Sequence, residues 1–468
     1  MNMKVNSILA IAIIVIMMIS VFAWVSVGTP TKPTIITQPV LNQPTSDPSP
    51  TNSQNTPTST VNSTKTQNMG SLFSNVFQNL ADAIVSRPAG LIESNPNLTA
   101  TVWRMVAANA WQYFQPGTGV DSNSGLPRAS LTYFYFTDWD LGVYIQAVID
   151  ANKTGLIGYD GNWGSIARIE KVLTFLETRE LDNASYPFWF YQASDGKEYR
   201  AASELSSSLV DPVDTGRLFV ALNNLKIFNS NLTSRIDNFV YNKFGNRSNY
   251  AALVPGVLND CNSSISVYTY YVASGFASFW PNELAGATAK ILTNINNAGT
   301  VQTFGVTLPN ATISCEPLLC SVFELNNNSK LNALAKQVYL AHEAKYNATG
   351  QYVAFSEGNT PNGFIYEWVV LPTGETWKIT DSVTNLPSST NNPIIYTKVS
   401  MSFLALYNTS FARNMAIYLE QSLPDSNSGY YAGADYNTVG SANLVLSIDN
   451  NSNGLILSAS RYSLENLR

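Results

Sequence analysis

Histidine is almost missing from this sequence, with His342 its one copy. A zinc centre built on several imidazoles is therefore excluded, and a Ser-His-Asp triad has a single candidate base. Cysteine is nearly as scarce. Three in 468 residues are too few for a disulfide-built scaffold or a Cys-rich zinc module. Charge is thin as well: Asp, Glu, Lys and Arg make up 12% of the chain, and 26 basic against 32 acidic side chains leave a net charge of −6. Such a chain has no general attraction for nucleic acid or anionic lipid, so no nucleic-acid partner is expected. There is no Gly-rich phosphate loop and no alternating βαβ pattern. Neither a metal nor a cofactor is expected, and any chemistry falls to carboxylates.

What the chain does have is 45% hydrophobic residues, unevenly spread. Residues 1–28 read as a transmembrane anchor. After Lys4, Ile8 to Val27 is an uncharged run of about twenty residues, enough to cross the hydrocarbon layer. A cleaved signal peptide would carry a shorter apolar stretch and small residues at its cleavage site, which Phe22-Ala23-Trp24-Val25-Ser26-Val27-Gly28 does not show. Lys4 on the short side places the N-terminus inside, which makes a single-pass cell-membrane protein with an extracellular main domain. Residues 29–68, rich in Thr, Pro, Ser and Asn, cannot bury enough apolar surface to offset ordering entropy and read as a linker. Residues 69–94 contain a lead-in helix with Leu72, Phe73, Val76, Phe77, Leu80 and Ile84 at helical spacing.

About a dozen Asn-x-Ser/Thr sequons, Asn97, Asn183, Asn231 and Asn347 among them, fit a glycosylated exterior. Cys315 and Cys320 flank Glu-Pro-Leu-Leu and could close a small loop in an oxidising compartment; Cys261 is then left over, or pairs with one of them.

From residue 95 to 468 helical patterns alternate with long loops. Helices are expected over Thr99–Phe114, Asp138–Asn152, Ser165–Arg179, Asp211–Phe228, Ser234–Phe244, Ser264–Phe279, Lys330–Tyr346, Thr397–Tyr407, Phe411–Leu423 and Ser441–Tyr462. Gly363 to Thr380, with Pro372-Thr373-Gly374-Glu375 at its centre, reads as a β-hairpin. Many paired helices without an even repeat suggest an all-α closed toroid, with the site carried on long connections at one end.

Several acids sit where chemistry could use them. Thr137-Asp138-Trp139-Asp140 begins a helix; Asp138 suits an N-cap, and Asp140, one step inside, suits a loop-facing role. Asp214 and Arg217 lie one turn apart and could pair. Asp121 follows the first helix in a loop. Glu357, in Phe355-Ser356-Glu357-Gly358-Asn359, has no helix to cap; Glu367 lies within the hairpin and Asp381 ends it. Tyr366, Trp368 and Trp377 are read first as core and second as a stacking platform. Glycoside hydrolysis needs a carboxylic acid of raised pKa at the leaving oxygen and a second carboxylate across the sugar ring.

The same residues resemble the DUF3131 family. Trp111-Gln112-Tyr113-Phe114, Thr118-Gly119-Val120-Asp121-Ser122 and Thr137 to Asp140 are similar to its first motifs. Asp214-Thr215-Gly216-Arg217-Leu218 is similar to its Asp-Ile-Gly-Arg-Leu helix, and Phe355 to Asn359 to its Val-Ser-Glu-Asp-Asn loop. Gly429-Tyr430-Tyr431-Ala432-Gly433 resembles its Gly-Trp-Tyr-x-Gly turn. The resemblance implies an (α/α)6 toroid related to glucoamylase-like and β-1,2-glucanase glycosidases. Where the family has Asp after the loop Glu, this chain has Gly358.

The expected protein is a membrane-anchored glycoside hydrolase acting on a poly- or oligosaccharide. Glu357 is the expected general acid and Asp140 the opposing carboxylate of an inverting pair. Asp121, Asp138, Asp214, Arg217, Glu367 and Asp381 are expected to bind substrate, with Trp139 and Trp368 as stacking residues. The rival is a non-catalytic glycan-binding or cell-envelope protein. A lyase ranks last, because His342 lies on a helix that reads as core-facing.

Overall fold

The computed structural model describes residues 90–467 except 184, 200–209, 211, 244, 246–247, 361–362, 383–385, 389–391 and 436–446. The expected anchor, linker and most of the lead-in segment, with Asp211 and Asn246, lie outside the described residues. Among the described residues no helix is long and apolar enough to cross a membrane.

Six helices form an inner ring: α2 (Asp138–Lys153), α4 (Pro212–Phe228), α7 (Val267–Ala277), α9 (Cys315–Glu324), α11 (Thr397–Tyr407) and α13 (Asn450–Asn466). Each packs on the next in chain order, and α13 returns to pack on α2, which closes the ring. Helices outside it are α1 (Ala100–Trp111) against α13, α3 (Ser165–Thr178) against α2, and α5 (Thr233–Val240) against α3 and α4. Further round, α6 (Val254–Ser263) and α8 (Ala287–Asn297) cover α7, α10 (Ser329–Thr349) covers α9, and α12 (Ser410–Ser422) covers α11. This arrangement fits the expected (α/α)6 toroid.

The two rings differ in sequence for a physical reason. An outer helix such as α3 buries one stripe, Ile169, Val172, Leu173 and Leu176, and leaves the other face to water. Inner helices are enclosed all round; in α2 every residue from Asp138 to Ala151 is buried. Close approach between inner helices needs small residues. A Cβ on Gly275 of α7 would lie 2.1 Å from the carbonyl oxygen of Gly216 in α4. Polar residues inside α13 bond within the ring, as Ser458 does with Asp150 at 2.7 Å.

Short sheets decorate the connections: β1 (Tyr135–Phe136) pairs with β2 (Tyr191–Gln192), and β3 (Thr300–Thr303) with β4 (Val306–Pro309). β5 (Glu357–Thr360), β6 (Gly363–Val370) and β7 (Thr376–Asp381) form an antiparallel sheet in that order, the last two being the expected hairpin. β8 (Ile394–Tyr396) leads into α11 and pairs with β9 (Gly433–Asp435).

The structure departs from expectation at several points. Glu357 begins a strand rather than lying in a loop. Beyond the expected helix at Ser264–Phe279, the chain up to residue 324 also supplies α8 and the inner helix α9. The final helix starts at Asn450 rather than Ser441. Cys315 and Cys320 close no loop: both lie on α9, and all three cysteines are free and buried.

Candidate active site at the helix N-termini

The N-terminal ends of the inner helices converge, and with them their partial positive charge, which favours acids. Glu316 sits in the first turn of α9, and Asp449 is the N-cap of α13, its Oδ1 accepting from the Ser452 amide at 2.7 Å. Lys398, in the first turn of α11, is buried. Its Nζ donates to the Glu316 carboxylate and, at 3.0 Å, to the backbone carbonyl of Glu357. Charge from Glu316, Asp449 and Glu357 raises the Lys398 pKa in spite of burial. Lys398 therefore stays an ammonium, paired with the Glu316 carboxylate and near enough to Glu357 and Asp449 for their charges to act on it.

Glu357 is 5% exposed, and its carboxyl group accepts from the Tyr268 hydroxyl at the start of α7. Burial pushes its pKa up to about 7, against the opposing pull of Lys398. Around it stand aromatic rings. Tyr268 lies 6.3 Å from Trp139 and 6.1 Å from Trp368, and Trp368 stacks on Tyr366 at 5.5 Å. The two tryptophans expected as stacking residues thus meet through a tyrosine that bonds the candidate acid.

Gly358 acquires a reason. A Cβ there would lie 2.8 Å from Cε1 of Tyr396, so the aromatic ring occupies the space an aspartate side chain would need. The Tyr396 hydroxyl is buried without a hydrogen-bond partner among the described residues. So are Trp139 Nε1, Ser356 Oγ, Thr397 Oγ1 and Asn450 Oδ1. Unpaired buried polar atoms are costly, and a polar ligand reaching these five would satisfy them.

The other predicted residues have varied placements. Asp140 is the third residue of a capping box: Thr137 caps α2, and Asp140 Oδ2 accepts from the Thr137 amide at 3.0 Å. The Asn450 side chain donates to the Asp140 carbonyl at 2.7 Å and reaches its carboxylate at 3.4 Å. Burial, with a contribution from Asp449, pushes the Asp140 pKa up to about 6. Asp140 therefore adjoins the group through Asp449 and Asn450. Asp138 is not the N-cap expected of it; it is ion-paired with Arg179 at 2.5 Å, both buried.

Arg217 does not turn to Asp214. Its guanidinium meets Glu324 and the Tyr271 hydroxyl inside the ring, and Asp214 accepts from the Trp189 indole at 2.9 Å. Asp121 folds its own loop, accepting from Asn123 and Ser124 amides at 2.9 and 3.1 Å, with Arg128 at 3.6 Å. These partners hold its pKa down although burial works the other way. Glu367 is fully buried and accepts from the amides of Ile394 at 2.7 Å and Ser356 at 3.4 Å, which ties β8 to the hairpin. Asp381 is half-buried at the end of β7, opposite Ile365. His342 is buried in α10: Nδ1 lies 2.7 Å from the Val338 carbonyl, and Nε2 accepts from the Phe355 amide at 3.3 Å. It is core-facing, as its helix suggested.

Sequence reasoning missed Glu316, Lys398, Tyr396, Asp449 and Tyr268. A signal existed for two of them. Glu316 and Lys398 are lone charges in runs of apolar and hydroxyl residues, in a chain with few charges, which suits one buried pair.

A closed ring of paired helices defines the (α/α)6 fold, here with buried acids gathered at one end. The chain belongs to the DUF3131 family, described as a protein of unknown function, whose model matches residues 105–466. Solved structures with the same fold include an endo-β-1,2-glucanase from Chitinophaga pinensis in complex with sophorotriose and glucose. It is 13% identical, with a TM-score of 0.51 over 79% of this chain and 94% of that one. An endo-β-1,2-glucanase from Talaromyces funiculosus with sophorose gives 10% identity and 0.52 over 80% and 86%. A protein provisionally assigned as a glucoamylase, from Bacteroides caccae, gives 14% and 0.54 over 79% and 94%. No curated protein matches the chain in sequence.

Proposed function

We propose that this chain is a glycoside hydrolase cleaving a poly- or oligosaccharide with a carboxylate pair. The observation that carries the reading is Glu357, a buried carboxyl group with its pKa near 7, set among aromatic rings and beside a lysine-linked group of acids. Protonated at neutral pH, it suits the general acid that donates to the leaving glycosidic oxygen. We assign the opposing carboxylate to Asp449. Burial raises its pKa, and the Lys398 ammonium opposes that rise, the charge partner that a carboxylate base needs. Asp140, first expected in that role, is engaged in its capping box and acts behind Asp449. An inverting course, with a water between carboxyls about 6.5–9.5 Å apart, is the stereochemistry we assign. Residues 1–28 anchor the chain and place the domain, glycosylated, outside the cell.

The test is hydrolysis of a glycan panel by the full chain, β-1,2-glucan first because two proteins of this fold are endo-β-1,2-glucanases. Product anomers are read by NMR. Inverted product that disappears with Glu357→Gln supports the assignment; full activity in that variant overturns it. The near-complete burial of Glu357 and Asp449, 5% and 7% exposed, favours a second reading, a non-catalytic glycan-binding or envelope protein. Binding without hydrolysis across the panel would decide for that reading.

A further inference from the structure

A second aromatic group lies on the rim of the same end, outside the carboxylate site. β1 (Tyr135–Phe136) pairs with β2 (Tyr191–Gln192), and the chain at Glu198 runs beside β2. A small antiparallel sheet of this kind is ordinarily apolar towards the core and polar towards water. Its core face is as expected: Phe136 and Tyr191 are buried and stack at 6.1 Å. Its outer face is aromatic too. Tyr135 stacks on Tyr199 at 4.7 Å and meets Phe190 at 5.0 Å, with Tyr133 at 5.5 Å. Trp189 continues the surface by stacking on Phe190 at 4.7 Å. Phe134, 59% exposed, and Tyr133, 40% exposed, complete it. So much exposed ring area in one place marks a binding surface.

Two connections join this surface to the candidate site. Its loop is bonded to the segment that carries Asp449: the Asn450 amide donates to the Ala129 carbonyl at 3.0 Å, and the Leu131 amide to the Ile448 carbonyl at 3.1 Å. At its other end the Trp189 indole bonds Asp214, in the first turn of inner helix α4. Arg128, the cation over Phe134, is paired with Asp121, so the surface suits an uncharged partner. Flat rings with hydrogen-bonding groups at their edges match the C–H faces and equatorial hydroxyls of pyranose units.

We propose that this aromatic face is an outlying glycan subsite, holding sugar units of a neutral chain several rings away from Glu357. The proposal rests on the reading that the carboxylate site takes a glycan, and it makes the preferred substrate an extended polymer rather than a disaccharide.

The experiment uses the full chain, with Tyr133→Ser/Phe134→Ser and Tyr199→Ser as the outer-face variants. Binding of linear neutral glucans from disaccharide to polymer is measured in a Glu357→Gln background, and hydrolysis in an otherwise native chain. Affinity should rise with chain length, and each variant should reduce the polymer-to-disaccharide preference by about tenfold, the size of a lost stacking contact. That binding result supports the subsite even if no glucan is cleaved, in which case only the catalytic reading fails. Cleavage with the same chain-length preference in variants and parent overturns the subsite and leaves the catalytic reading standing. Absence of binding to every glucan, or a variant effect confined to self-association, also overturns it and makes the surface a protein-contact face.

Discussion

Buried charge is handled in two ways in this ring. Away from the candidate site, Asp138 is matched with Arg179 at 2.5 Å and Asp150 with Arg461 at 2.7 Å, while burial raises the Glu324 pKa even beside Arg217. At the helix N-termini one lysine serves several acids, and Glu357, Asp449 and Asp140 all have raised pKa values. The matched pairs hold helices together; at the helix N-termini burial holds the acids above their ordinary pKa values. A surplus of buried carboxyl groups over bases costs stability at neutral pH, and such a cost persists where function needs it.

Replacing the candidate acid separates the two kinds of site most strongly. Glu357→Gln should lower the hydrolysis rate by about 10²–10⁴-fold, the usual contribution of a general acid. Its effect on stability should have the opposite sign. Because the folded-state pKa is raised, Glu357 contributes stability that is full below the ordinary glutamate range and is lost as pH rises through 7, a change of about 3 kcal/mol. The glutamine variant should therefore unfold at higher urea than the parent at pH 8, with the gap closing towards pH 4. An unchanged or lower midpoint at pH 8 would show that Glu357 is not held protonated.

Breaking a matched pair should do the reverse. Arg179→Met leaves Asp138 buried without its cation and should cost about 3–5 kcal/mol in urea unfolding at pH 7. A loss below about 1 kcal/mol, the level of an exposed ion pair, would mean that water reaches the pair.

Acid tests the contrast from another side. Burial holds the His342 pKa down to about 4. Its depressed pKa gives stability that is present above pH 6.5 and lost as pH falls through 4, about 3 kcal/mol in all. Between about pH 4.5 and 6.5 the two groups therefore act in opposite directions, His342 weakening the domain as pH falls and Glu357 as pH rises. In His342→Leu the acid limb of a stability-against-pH curve should flatten; an unaltered limb would assign it to other groups.

The smallest effect is expected at the junction of the two kinds of site. Thr137→Ala removes the α2 cap and one partner of Asp140, and should cost about 1 kcal/mol. The accompanying change in the pH profile of activity reports how far Asp140 is coupled to Asp449.

What was legible in the sequence followed from local patterning. Glu357 stood out because an acid between apolar segments had no helix to cap, and the hairpin behind it alternates aromatics at strand period. Most outer helices, and inner helices with a recognisable first turn such as Asp138–Lys153, were read within a few residues. Asp449 was hidden inside an expected helix that in fact begins just after it. Glu316 and Lys398 were invisible as a pair because 82 residues separate them, and only ring closure brings them together. The partners of Asp138 and Arg217 were hidden for the same reason: Arg179 and Glu324 lie far along the chain.

Closure of the ring by α13 also bears on when the molecule becomes itself during synthesis. Chains emerge N-terminus first, and their early segments begin to fold before the rest is made. Here the helix that seals the ring against α1 and α2 is the last one described, and Asp449 stands at its head. A ribosome-bound chain can build five of the six inner helices and still lack both the seal and the final acid. Assembly of the site therefore waits until α13 has been made, whatever else of the ring is already in place.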